Sequence, residues 1–215
     1  MTTVEIVVMS VFGLLVVGGI ALSIRQGKQE RARVMKFAAE RGWPYSPTGD
    51  DHLASLLSVT VPEEAWQTSH VLQVQPPPER VYLFAYSYRR KQSNSRSSWR
   101  GFACLVERSG SGQECPVAIF NRTPLVDAME GGRVQVGGEE FRKQFTVTCQ
   151  QPEAAQAVVN AEVQHLVQEH DASPGWRITV TVAAPAILVA SSWAQKEDEW
   201  EHLIALATRL RQAIP

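Results

Sequence analysis

Two pairs of glutamate and histidine residues have the spacing of metal-binding helices. Glu162 precedes His165 by three residues, and Glu199 precedes His202 by the same interval. Glu-x-x-His pairs on two helices form half of a carboxylate-bridged di-metal site. Both segments are rich in Glu and Gln, so solvated helix faces explain these residues more simply. A metal-dependent hydrolase is therefore the least favoured alternative, and no metal ligand is assigned.

Three cysteines are the other candidates for chemistry. A nucleophilic thiol requires a base or a cation that lowers its pKa. Cys104 and Cys149 lie in apolar strand patterns and are interpreted as small buried hydrophobes. Cys115 follows the glycine-rich residues 109–112, so we expect it to be exposed and oxidisable. This expected exposure is the only basis for the thiol-hydrolase alternative. An odd number of cysteines without paired spacing favours a reducing compartment, and no catalytic residue or cofactor is assigned.

A basic segment lies between two candidate strands. On a chain of formal net charge −1 it makes a local positive patch, which could contact an acidic partner or the inner membrane leaflet. A solvated hairpin loop over residues 89–98 is the plainer interpretation. The near-neutral total charge gives no reason to expect nucleic acid as a partner. The cations of the patch are Arg89, Arg90, Lys91, Arg96 and Arg100.

The elements that must position these residues indicate an α+β fold with an antiparallel sheet and two or three amphipathic helices. Tyr82, Phe84 and Tyr86 alternate with Val81 and Leu83, so both faces are bulky and this strand is expected to be central. An exposed aromatic row would instead suit a small-molecule or lipid-binding pocket. The predicted strands cover residues 80–88, 99–107, 116–120, 141–149, 176–182 and 186–190. One predicted helix covers residues 51–57, and a second begins at Pro152. A third begins at Ser192, which forms a capping box with Gln195.

Residues 6–24 carry no charge and are almost entirely apolar. As a helix this run spans roughly 28 Å, close to the ~30 Å hydrocarbon core of a bilayer. A cleaved signal peptide is the alternative, but the N-terminal flank holds Glu5 and lacks Lys and Arg. The sequence therefore predicts a retained single-pass anchor.

Positive charge follows the predicted span directly. Arg25, Lys28, Arg31 and Arg33 lie within ten residues of it. Because Lys and Arg beside a span remain on the cytoplasmic side, the C-terminal domain is expected in the cytoplasm and the N-terminus outside. These cations could also contact anionic headgroups. Gly42 and Pro44 are expected to end the basic helix.

Four segments resemble a group of small bacterial membrane proteins. Residues 37–45 read Phe-Ala-Ala-Glu-Arg-Gly-Trp-Pro-Tyr, and the aromatic strand of residues 82–88 follows. Later matches are residues 141–147 and the strand entry at residues 174–178. The resemblance implies one N-terminal transmembrane helix and a cytosolic α+β domain at the inner membrane, in a group with no assigned activity. It therefore transfers no catalytic residue.

Three segments follow: a membrane anchor over residues 1–24, a basic juxtamembrane helix over 25–42, and a cytoplasmic α+β domain over 43–215. The leading hypothesis is a non-enzymatic interaction or scaffold domain at the cytoplasmic face. The bilayer, and another membrane protein, are its expected partners. The binding contacts it assigns are Arg25, Lys28, Arg31, Arg33, Arg89, Arg90, Lys91 and Arg96.

Overall fold

The computed structural model describes residues 25–61, 66–76, 79–92, 95–108, 115–122, 132–171, 177–192, 194 and 196–214. The chain divides into two compact units, Met1–Gly42 and Trp43–Pro215. The described part of the first unit is a helix, α1, over residues 25–41. Arg41 stacks over the Phe37 ring, with 3.7 Å from its guanidinium carbon to the ring centroid. The helix ends as predicted at Gly42, whose φ of +67° suits glycine.

In the second unit, described residues form nine strands and five helices. The strands are β1 (Tyr45–Thr48), β2 (Trp66–Gln75), β3 (Val81–Gln92), β4 (Ser95–Glu107), β5 (Val117–Asn121), β6 (Arg133–Val134), β7 (Phe145–Thr148), β8 (Ile178–Val182) and β9 (Ala186–Ser191). The helices are α2 (Asp51–Thr60), α3 (Glu139–Gln144), α4 (Pro152–Val158), α5 (Ala161–Asp171) and α6 (Glu197–Ala213).

All described strands belong to one sheet of order β1-β2-β3-β4-β9-β8-β5-β7-β6. Every neighbouring pair is antiparallel. The prediction of an α+β fold with an antiparallel sheet is confirmed. β3 lies between β2 and β4, as its two bulky faces predicted.

Helix α2 covers one face of the sheet. Its N-cap is Asp50, whose carboxylate accepts a hydrogen bond from the Leu53 N–H at 2.7 Å. Tyr82, Phe84 and Tyr86 are buried in the cluster beneath it, so the aromatic row forms core rather than an open binding surface. The rest of this cluster comprises Leu53, Leu56, Leu57, Val71, Ala103, Leu105, Ala186, Leu188 and Ala190.

Helix α6 packs on the same sheet through contacts with β3, β4 and β9. Trp200 is fully buried and meets Phe102 of β4 with ring centroids 4.6 Å apart. Residue Gly101 precedes this contact, and a Cβ there would lie 2.0 Å from the Ser191 carbonyl oxygen. The close approach of β4 and β9 therefore requires glycine at this position.

The predicted loop over residues 89–98 is wrong. β3 continues to Gln92 and β4 begins at Ser95, so the hairpin extends through the basic segment. Its register places Arg89 opposite Ser98 and Lys91 opposite Arg96. Polar composition predicted a loop, but continuation of the ladder hydrogen bonds from the buried part of the hairpin favours strand here.

Two other predicted elements differ in their bounds. The strand over residues 141–149 begins as helix α3, because Phe141 and Phe145 satisfy an i, i+4 helical spacing as well as strand alternation. The helix opening at Pro152 is two helices, since Asn160 caps a new helix by accepting from the Val163 N–H at 2.9 Å.

The C-terminal helix begins at Glu197 rather than at Ser192. The Glu199 carboxylate accepts a hydrogen bond from the Lys196 N–H at 2.8 Å, which satisfies a donor at the helix start. The prediction of a capping box at Ser192 was therefore wrong in its position, which is several residues later.

No helix in the described part of the chain is long and apolar enough to cross a membrane. The span predicted over residues 6–24 lies outside the described residues.

Candidate functional site

A groove of about 330 Å³ opens between α3 and the strands β6 and β7. Its lining carries four cationic side chains against one carboxylate, on a chain whose formal net charge is −1. Because of this concentration of positive charge, we take the groove as the candidate site. The lining residues are Arg122, Arg133, Val134, Gln135, Val136, Glu139, Arg142, Lys143, Phe145, Thr146 and Val147.

A tight turn places α3 above the groove. Gly137 has a φ of +86°, and a Cβ there would lie 2.7 Å from the Phe141 ring and 3.1 Å from Gln164 Oε1. The Gly138 N–H donates to the same Gln164 oxygen at 2.8 Å. Gln164 Nε2 in turn donates to the Val159 carbonyl at 3.0 Å. Glycine at position 137 and the Gln164 amide therefore fix where α3 starts, and so where its cations lie.

Hydrogen bonds and strand pairing position the arginines of the groove. The Arg122 N–H donates to the Gln144 carbonyl at 2.6 Å, and Arg122 Nη1 donates to the Arg142 carbonyl at 3.2 Å. Arg133 is the register partner of Thr148, which sets β6 against β7. Arg122 thus lies beside the start of β7 and Arg133 beside its end, and both line the groove together with Arg142.

Two carboxylates offset the charge of the lysine in the groove. Lys143 Nζ lies 2.8 Å from Glu140 Oε1 and 3.1 Å from Glu139 Oε1. The hydrogen bonds to Glu140 and then Glu139 raise the pKa of Lys143. The other cations that line the groove are Arg122, Arg133 and Arg142.

The groove is suited to binding an anion. Guanidinium groups present planar donor forks that match carboxylate and phosphate oxygens. Phe145 and Val147 line it beside these cations. The lining therefore combines cationic and apolar side chains, a composition that suits an anion with an apolar part.

The sequence-predicted contacts are not among the residues that line the groove. Arg25, Lys28, Arg31 and Arg33 are exposed on α1. Arg89, Arg90, Lys91 and Arg96 occupy strand positions in the extended β3–β4 hairpin. The groove arginines were missed, because each is isolated in the sequence and only the β5–β7 and β6–β7 pairings bring them together.

The two Glu-x-x-His pairs do not form a metal site. His165 is exposed on α5, whereas His202 contacts His170 with ring centroids 5.9 Å apart. Within the described ranges, no group of three His, Cys, Asp or Glu side chains could hold a metal ion. The di-metal alternative therefore gains no support from the fold.

The cysteines show one arrangement that the sequence did not predict. Cys115 and Cys149 lie with their sulfur atoms 3.7 Å apart. Cys115 is buried, so the expectation that it would be exposed is wrong. Cys104 is fully buried in β4, and burial strongly raises the pKa of its thiol. The sulfur contact escaped prediction because Cys115 and Cys149 are 34 residues apart and meet only through β5–β7 pairing.

Comparison with protein-family models finds no match, and comparison with curated proteins finds none. Among solved structures, the chain is similar to the crystal structure of the mycobacterial trehalose monomycolate transport factor A, TtfA. The TM-score is 0.58 at 14% sequence identity, covering 86% of this chain and 96% of that one. At this identity the similarity establishes a shared fold.

Proposed function

We propose that this protein is a non-enzymatic, membrane-tethered accessory factor in lipid transport, whose α+β domain binds its partner at the cytoplasmic face. The observation that carries the proposal is the shared fold with a trehalose monomycolate transport factor, which extends over 86% of this chain. An accessory role of this kind depends on a surface that binds the partner. The basic groove is the surface we assign to that role.

Sequence supports the tether. Residues 6–24 are uncharged and long enough for a bilayer, and exposed cations of α1 follow them directly. Tethering confines the domain to a thin layer at the membrane, which raises its effective concentration toward neighbouring membrane proteins. The expected partner is therefore a membrane protein that handles lipid, contacted through an acidic surface.

Site-specific photo-crosslinking in intact cells tests this role. Gln135 lines the groove and Gln212 lies on α6, and both are exposed glutamines. A photoreactive residue at position 135 is expected to link the protein to an integral membrane protein. The same residue at position 212 serves as the matched control. Equal capture from both positions, or none from position 135, would contradict the assigned surface.

A second candidate is direct binding of an anionic lipid headgroup, which the arginine convergence in the groove favours. The full chain in phosphatidylcholine nanodiscs can be titrated with a soluble short-chain phosphatidylglycerol by calorimetry. Each lost charge-assisted hydrogen bond costs roughly 1.5–3 kcal/mol, so Arg133→Glu/Arg142→Glu should weaken binding at least ~10-fold.

The matched control for that titration reverses two exposed cations that do not line the groove, Arg100→Glu/Lys196→Glu. It is expected to bind like the wild type. Identical affinities for the groove variant and the wild type would exclude the headgroup role, while leaving the protein-partner role to the crosslinking experiment.

A further inference from the structure

Cys115 and Cys149 are two free thiols in contact across the β5–β7 end of the sheet. Their sulfur atoms are 3.7 Å apart, and both side chains are buried, with 8% and 7% of their surfaces exposed. A disulfide requires about 2.05 Å between sulfurs, so closing this pair needs an approach of about 1.7 Å. Cys115 precedes β5 and Cys149 follows β7, so neither lies within a strand.

The surroundings of Cys149 suit a sulfur that takes part in thiol chemistry. The Gln151 N–H donates to Cys149 Sγ at 3.4 Å, a contact that stabilises a thiolate. Desolvation nevertheless raises the pKa of the Cys149 thiol, and the nearby Cys115 raises it further. The Cys149 N–H also donates to the Gly132 carbonyl at 2.7 Å, directly before β6, which lines the groove.

We infer that Cys115 and Cys149 form a dithiol site that a peroxide or a small-molecule disulfide converts to an intramolecular disulfide. With hydrogen peroxide, one sulfur is oxidised to a sulfenic acid and one water is released. The second sulfur attacks the first, its proton leaves with the hydroxyl as a second water, and the S–S bond forms. The two thiols lose two electrons in total, and these reduce the O–O bond.

The third cysteine gives an internal control. Cys104 is fully buried in β4, which lies between β3 and β9, and desolvation raises the pKa of its thiol. It should remain reduced under conditions that oxidise the pair. The link would close the 34-residue separation between Cys115 and Cys149, which constrains the unfolded chain.

The test treats the full-length wild-type protein in detergent with hydrogen peroxide, then alkylates, digests and analyses it without reduction. Before alkylation, we expect the intact mass to be lower by two hydrogens. In the digest, we expect one crosslinked peptide joining Cys115 to Cys149 and an alkylated Cys104. The melting temperature should rise by about 5–10 °C and return to its original value on reduction.

Three free thiols after treatment, sulfinic acid on separate cysteines, or a crosslink that includes Cys104 would overturn the inference. Cys104→Ala should keep the crosslink, whereas Cys115→Ser should abolish it. The mass measurement on the wild type alone decides the test, so the test stands even if a variant fails to fold. The outcome is also independent of the proposed membrane function.

Discussion

The side chain of Asn160 joins two helices, because its Nδ2 donates to the carbonyl oxygen of Ala213 at 2.8 Å. Its Oδ1 also accepts from the Val163 N–H at 2.9 Å. One residue thus caps the start of α5 and satisfies a carbonyl at the end of α6. The contact fixes the C-terminal helix against the pair of helices that precede β8.

Removing this side chain should destabilise the domain. Asn160→Ala is expected to lower the free energy of unfolding by about 1–3 kcal/mol, since it removes the cap and one further hydrogen bond. Asn160→Asp keeps the capping oxygen and loses only the donor, so its loss should be smaller. Urea denaturation of the full chain measures both. Equal stability of Asn160→Ala and the wild type would contradict this account.

Adding a methyl group at Gly101 should disrupt the junction of β4 and β9. A Cβ there would meet the Ser191 carbonyl oxygen at 2.0 Å and Ser192 Cα at 2.8 Å, and both atoms are backbone. Gly101→Ala is therefore expected to cost several kcal/mol of unfolding free energy.

The matched substitution is Gly27→Ala in α1, where a Cβ meets nothing within 4 Å. Alanine favours a helix over glycine by ~1 kcal/mol, so this variant should be neutral or slightly stabilising. Thermal melts followed by circular dichroism compare the two. A Gly101→Ala variant as stable as Gly27→Ala would show that the sheet relaxes to accept the methyl group.

Stability should fall as the pH drops below about 6.5, the usual pKa of histidine. Desolvation lowers the pKa of His170, and the neighbouring His202 and Arg209 lower it further, while Glu169 opposes them. The folded state therefore disfavours the charged form. The stability that neutral His170 contributes is complete above its unfolded pKa of about 6.5. That stability is lost as the pH falls through the lower pKa of His170 in the folded state.

Melting temperatures between pH 8 and pH 5 test this behaviour. His170→Gln should flatten the decrease, whereas His165→Gln, at an exposed position of the same helix, should leave it unchanged. A wild-type curve that rises toward pH 5 would have the wrong sign for this explanation.

Disulfide formation between Cys115 and Cys149 should accelerate with pH. Burial raises the pKa of the Cys149 thiol, and the thiolate is the reactive species. Timed alkylation after peroxide addition at pH 7 and pH 9 measures the rate. A slower reaction at pH 9 would indicate that another group limits the oxidation.

Alternation was sufficient to predict the strands that form the middle of the sheet. The residues of β3, β8 and β9 alternate or run apolar, and burial on the sheet keeps that pattern. β2 was missed, because polar residues are common in Trp66–Gln75 and His70, with a φ of +52°, interrupts its register. A bulge of this kind shifts which residues face the core.

The candidate site could not be read from the sequence for a different reason. Arg122, Arg133 and Arg142 are each separated by about ten residues, so no local motif marks them. Their convergence depends on the placement of α3 by Gly137 and on strand pairing. The binding contacts were instead predicted at basic residues that cluster in the sequence, in α1 and in the β3–β4 hairpin.

The central claim is tested most directly by measuring where the full chain is located, with and without charges introduced into the proposed span. We expect the wild type to remain in the membrane fraction after alkaline carbonate extraction, with a reporter at its C-terminus on the cytoplasmic side. Leu15→Arg/Val16→Arg should release the protein, since each arginine at a span centre costs ~2.5–3.5 kcal/mol. Leu15→Ile/Val16→Leu should not. Wild-type protein that is extracted by carbonate, or a reporter outside the cell, would contradict the proposed membrane-tethered function.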